Sequence, residues 1–166
     1  MSKLQSIELK EYEIKETNGE FERVVVSSEK HPLFFSNYAL KVGKQSGILE
    51  KGLEQELFGF LSVLDPQTIA AATKGNEINP AAIIPLMNLI SLDHMKNIIW
   101  LAYVGARIGK DHLSNEDFKD FYDEDFTSVL GVYMNLLTSS LENTKQKNSF
   151  TEGLNKSLGS QKGLKK

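Results

Sequence analysis

The 166 residues carry 19 basic and 22 acidic side chains, a formal net charge of −3, and no cysteine. A chain of this length can bury one real core, and without thiols it can hold no disulfide and no thiolate metal site. Met1 to Glu16 has no apolar signal core and no stretch is suited to span a bilayer, so a cytoplasmic protein is expected.

Ser6 to Ser28 reads as a β-hairpin. Ile7, Leu9, Tyr12 and Ile14 lie among charges, and Asn18-Gly19 is the preferred pair for a two-residue turn whose central residues need positive φ. The return strand carries Phe21 and Val24-Val25-Val26. Leu9 and Tyr12 differ in parity, which a bulge near Lys10-Glu11 would repair. A hairpin alone is marginal, so it should pack on helices or pair with another chain. Its edge is the first candidate for self-association, as a homo-oligomer.

The rest reads as helices. Pro32 suits a first helical position, with Leu33 to Val42 following and Gly43 as the stop. A second helix is expected from about Ile48 to Leu64, with Glu50, Glu54 and Glu56 facing water. Asp65-Pro66 opens a short helix over Gln67 to Thr73, and Asn79-Pro80 opens another over Ala81 to Ile90, trimmed or kinked at Pro85. Asp93 to Gly109 is the centre of the fold. Nine of the eleven residues from Ile98 to Ile108 are apolar, so this helix must be covered on all sides, with Trp100 as its largest buried group. Ser114 caps a helix over Asn115 to Tyr122 that turns Phe118, Phe121 and Tyr122 inward. Asp123-Glu124-Asp125 caps the last helix, Phe126 to Leu141. These elements predict a mainly α fold: one compact helical domain over residues 1–143 with a small N-terminal hairpin at about residues 6–28.

Residues 144–166 read as a flexible, disordered basic tail. They hold six lysines and one glutamate, so a +5 segment follows a −8 body. Phe150, Leu154 and Leu158 recur every fourth residue and would share one side of a helix. Such a stripe could fold onto a partner, or be three apolar residues in a solvated end.

Chemistry finds little foothold. His31, His94 and His112 are far apart and none has a ligand three or four residues on, so no metal site is expected. Gly105 to Lys110, GARIGK, has the wrong glycine spacing for a phosphate loop and closes a helix instead of opening one, with Gly109 as its left-handed cap. The acids from Glu116 to Asp125 lack the alternation and central glycine of a calcium loop. No catalytic, cofactor or metal residue is assigned, and a non-enzyme is expected.

The layout as a whole resembles a known family. A polar hairpin turns at Asn18-Gly19, a helix ends in IIWLAYVGARIG, Leu113-Ser114-Asn115-Glu116-Asp117-Phe118 restarts the chain, and Asp123-Glu124-Asp125 precedes a final amphipathic helix. This is similar to the tail assembly chaperones of long-tailed bacteriophages, especially siphophages of Gram-positive hosts. The similarity is best over Ile98 to Leu141 and looser over the hairpin and Pro32 to Leu64. The long first strand and the Ala-rich Pro66 to Thr73 segment depart from it. The resemblance implies a non-enzymatic role in the host cytoplasm, outside the mature virion. Such a protein coats and solubilises the tape measure protein and helps recruit the major tail protein. It implies no cofactor and no membrane. Phe150, Leu154 and Leu158 would be its partner contacts. The family is often made in two lengths by ribosomal frameshifting, and Lys165-Lys166 fits an A-rich message. The alternative is a small phage nucleic-acid-binding or regulatory protein using the basic tail, against which the lack of arginine and interleaved aromatics counts.

Overall fold

The computed structural model describes residues 4–62, 84, 87, 88 and 90–142. Strands β1 (Ser6–Thr17) and β2 (Glu20–Pro32) pair antiparallel. Five helices follow among the described residues: α1 (Asn37–Ser46), α2 (Leu53–Leu61), α3 (Leu92–Gly105), α4 (Asn115–Phe121) and α5 (Phe126–Glu142). The helices expected over Gln67 to Thr73 and Ala81 to Ile90, and the tail, lie outside the described residues or almost wholly so.

The expectation of a mainly α domain with a small hairpin is overturned. Of the described residues 51% are helical and 22% lie in strands, which makes this a small mixed α/β domain. The hairpin is longer than expected because pairing does not stop at Ser28. It runs on to Ser6 opposite Pro32, and the Leu33 amide still donates to the Gln5 carbonyl at 2.8 Å. The turn is as read: Asn18 (φ 54°) and Gly19 (φ 81°) are both left-handed, which fits the right-handed twist of the strands. A bulge does fall at the level of Glu11 and Tyr12, but on the other strand, so it does not repair the alternation of β1 as expected. Glu11 faces Ser27 and Tyr12 faces Val25, so the extra residue is Val26, on the return strand.

Pro32 does not open α1. It ends β2, where its missing N–H costs least, and Ser36 takes the cap by accepting from the Ala39 amide. Gly43 does not stop the helix. It lies inside α1, where an added Cβ would sit 2.9 Å from Leu101 Cδ1, and left-handed Gly47 ends the helix instead. Helix α2 begins five residues later than expected, after Gly52.

Helix α3 is the centre, as its composition demands. Met95, Ile98, Ile99, Leu101, Ala102 and Val104 are wholly enclosed, and α1, α4 and α5 pack around it. Trp100 is buried with its indole N–H on the Leu113 carbonyl at 3.0 Å, which meets its one polar demand. The helix ends at Gly105, four residues before Gly109. The reason is local: the Phe34 amide donates to the Ala102 carbonyl at 2.9 Å, and a Cβ on Gly105 would lie 2.2 Å from the Phe34 carbonyl oxygen. Backbone crosses backbone here, and only glycine leaves the room. Gly109 is left-handed, but in the turn that follows. Helices α4 and α5 start where the sequence places them. Ser114 accepts from the Asp117 amide, and Asp125 accepts from the Ser128 amide at 2.8 Å. That second bond holds the Asp125 carboxyl below the usual carboxylate range. Among the described residues no helix is long and apolar enough to cross a membrane.

Candidate functional site

The hairpin divides at the Val26 bulge. Cross-strand partners share a face, so Ile7 with His31 and Leu9 with Glu29 point one way on the inner half. Ile7 and Leu9 are buried against the helices. Beyond the bulge, Tyr12 with Val25, Ile14 with Arg23 and Glu16 with Phe21 form one face. Ile14 is 72% exposed, Phe21 74%, Val25 47%, and the bulged Val26 50%. The opposite face there carries Glu13, Lys15, Glu20 and Glu22 around Val24. The outer hairpin is therefore an arm with an apolar side and a largely acidic side.

Two polar contacts fix the arm where it leaves the body. The Arg23 guanidinium lies 3.5 Å from the centre of the Tyr12 ring and reaches Asp123 at 2.6 Å. Lys10 approaches Glu124 at 3.7 Å. The acids before α5 thus do two jobs: Asp125 caps the helix while Asp123 and Glu124 hold the hairpin. The free edge of β2 is poorly suited to the self-association first expected there. It carries a bulge and the charges Glu20, Glu22, Arg23, Glu29 and Lys30, all of which oppose edge-to-edge pairing.

Under the inner half lies a shallow cleft of about 320 Å³, between the hairpin and the C-terminal end of α3. Arg107 donates from Nη1 to His31 Nδ1 at 2.9 Å and from Nε to the Asp111 carbonyl at 3.0 Å. Because Nδ1 accepts, the His31 proton sits on Nε2, which faces Glu29 at 3.7 Å. Burial pushes the His31 pKa down; Glu29 opposes that and Arg107 adds to it. The imidazole stays neutral near pH 7 and joins hairpin to helix.

A second cleft of about 320 Å³ holds a cluster that local sequence did not reveal. Glu56 does not face water. Its Oε1 accepts from the Tyr133 hydroxyl at 2.8 Å and is bonded to His94 Nε2. One carboxylate joins α2, the first turn of α3 and α5. The hydrogen bond to Glu56 raises the His94 pKa, burial opposes it, and the charges of Glu56 and Asp93 add to the rise. On Glu56 burial works upward, yet the bonds from His94 and Tyr133 hold the carboxyl below its usual value. Burial also pushes the Tyr133 hydroxyl far up, so it remains a donor. The helix N-terminus disfavours charge on this imidazole, while the two acids favour it, and the net direction is upward.

His31, His94 and His112 are not brought together, and among the described residues no group of three or more His, Asp or Glu could hold a metal ion. In each cleft one histidine is bonded to a side chain distant in sequence, His31 to Arg107 and His94 to Glu56. The predicted contacts Phe150, Leu154 and Leu158 lie outside the described residues. The exposed row on the arm was missed as a site, although Tyr12 and Ile14 share a parity that Ile7 and Leu9 do not; that difference was its signal in the sequence.

No family model, no curated protein and no solved structure matches the chain.

Proposed function

We propose that this chain is a non-enzymatic, client-binding protein of the tail assembly chaperone kind. It works in the host cytoplasm, keeps the tape measure protein soluble and helps bring in the major tail protein. The observation that supports this is the apolar row on the projecting arm, Ile14, Phe21 and Val25 beside Tyr12. Contiguous apolar surface held out from the body is the mark of an interaction site. Burying one such side chain stabilises a complex by about 1.5–3 kcal/mol before the costs of association. A long apolar helix is the kind of client such a ribbon suits, because its repeated stripe can engage many short arms.

The test is a double variant, Ile14→Ser with Phe21→Ser. Both side chains are exposed, so the fold should survive, as read by helical circular dichroism. The variant should no longer suppress aggregation of a co-expressed tape measure protein. Protection equal to that of the parent protein would refute this reading. Binding through the arm should also persist in moderate salt, whereas affinity resting on phosphate contacts would fall steeply.

A further inference from the structure

We propose that the outer hairpin has an occupant within its own chain: the basic tail, residues 144–166, lays Phe150, Leu154 and Leu158 across the apolar row formed by Tyr12, Ile14, Phe21 and Val25, and a client must displace it. This rests on the reading of the arm as the client-binding surface.

Three observations select the tail over other occupants. The first is charge. Beyond the bulge the thin ribbon is acidic as a whole: Glu16 lies on the row's own face and Glu13, Glu20 and Glu22 on the reverse, against Lys15 and an Arg23 already committed to Asp123. The tail brings six lysines and one glutamate, so its apolar residues arrive flanked by the complementary sign. The second is spacing. Apolar residues at every fourth position form a single stripe on a helix, and the arm offers one row of four side chains, not a broad patch. The third is reach. Helix α5 starts directly after the acids that hold the arm, and its 17 residues span about 25 Å. The residues from Glu142 to Phe150 can extend over roughly 27 Å, enough to run back along α5 and bring the stripe to the base of the arm within one molecule. A tethered segment acts at millimolar effective concentration, enough for a weak contact to be occupied.

A second copy of the arm fits less well. Two copies would bring together arms of the same net sign, with no complementary charge to add, and the bulged edge resists pairing. The consequence is a competition: the tail shields the row until a longer, more apolar helix takes its place.

The chain has no cysteine, so one can be introduced as Ser157→Cys and spin-labelled without side reaction. In the full-length protein the label should selectively attenuate the amide signals of Ile14, Phe21 and Val25 and leave those of α2 untouched. The loss should be independent of protein concentration and should vanish when Phe150, Leu154 and Leu158 are all changed to Ser. Absence of attenuation on the hairpin would overturn the proposal. So would attenuation seen only between a labelled copy and a separate isotope-labelled copy, or attenuation that survives the triple change. Client binding measured in parallel separates the two ideas. If the tail stays off the arm but Ile14→Ser/Phe21→Ser abolishes client binding, only the shielding fails. If the tail docks but that variant binds client normally, the functional reading fails instead.

Discussion

The inner and outer halves of one hairpin share strands, a ladder and a similar apolar content, yet their fates differ. Ile7 and Leu9 are 4% and 7% exposed, while Ile14 and Phe21 are 72% and 74% exposed. The dividing point is Val26, where one extra residue shifts the register of β2. On β1 the residues before the bulge place their apolar side chains on the face that meets the helices; Tyr12 and Ile14 fall on the other. Hydrophobic alternation therefore tells which residues share a face, but not whether anything lies against it.

The strongest way to break the inner half is at its anchor. Gly105→Ala would put a Cβ 2.2 Å from the Phe34 carbonyl and 2.7 Å from Ala39 Cβ. Neither can yield without moving backbone, so a loss of about 3 kcal/mol or more is expected. Urea unfolding should show the midpoint falling accordingly; a change within experimental error would mean that the strand–helix crossing is not tight. The same change at Gly19 would act on the arm's turn alone, through its left-handed backbone.

Next comes the comparison itself, made with matched truncations. Leu9→Ala should cost about 2–4 kcal/mol, since it empties a filled site. Ile14→Ala should stay within about 0.5 kcal/mol, as exposed positions do. Equal losses in thermal or urea unfolding would show that the arm is covered in the free protein. If the change of Phe150, Leu154 and Leu158 to Ser then removed the loss at Ile14, the tail would be identified as that cover.

Much of this was legible in the residues. The two-residue turn, the enclosed α3 and the caps at Ser114 and Asp125 all follow from short-range rules, and local chemistry decides them. The failures are at longer range. Pro32 looked like a helix start because proline suits both N1 and a strand end, and only the ladder to Ser6 chose between them. Glu56 looked solvated because nothing within its own helix announces that His94, 38 residues on, and Tyr133, 77 residues on, would close around it. Sequence periodicity identified its helix but carried no information on which polar residue lies on the seam.

The two histidines sharpen the contrast between seams. His94 has a raised pKa, so its contribution is full below the unfolded value near 6.5 and is lost as pH rises through the folded one. Glu56 has a lowered pKa, so its contribution is full above its unfolded value of about 4.5 and is lost as pH falls through the folded one. His31 runs opposite to His94. Its lowered pKa makes stability full above about 6.5 and lost as pH falls through the folded value, when an imidazolium would face Arg107. Stability should therefore peak between the two limbs. His94→Gln should flatten the alkaline limb and leave the acid one, and His31→Gln should do the reverse. Denaturation midpoints across pH 5 to 8 would show it; identical profiles for the two variants would refute the assignment.

The smallest expected effect tests what holds the arm in place. The side chains of Arg23 and Asp123 are each about half exposed, so their ion pair contributes little, about 0.5 kcal/mol or less, and the stacking on Tyr12 adds a similar amount. Arg23→Ala should scarcely move the unfolding midpoint. It should nevertheless act on the outer half alone, because the guanidinium touches both the ribbon and the loop before α5 while the inner half keeps Ile7 and Leu9 in the core. Backbone order parameters of residues 13–25 should fall, with those of residues 6–10 unchanged. If the whole hairpin loosened together, the boundary at Val26 would be one of register only, and the arm would move as one piece with the strands that anchor it.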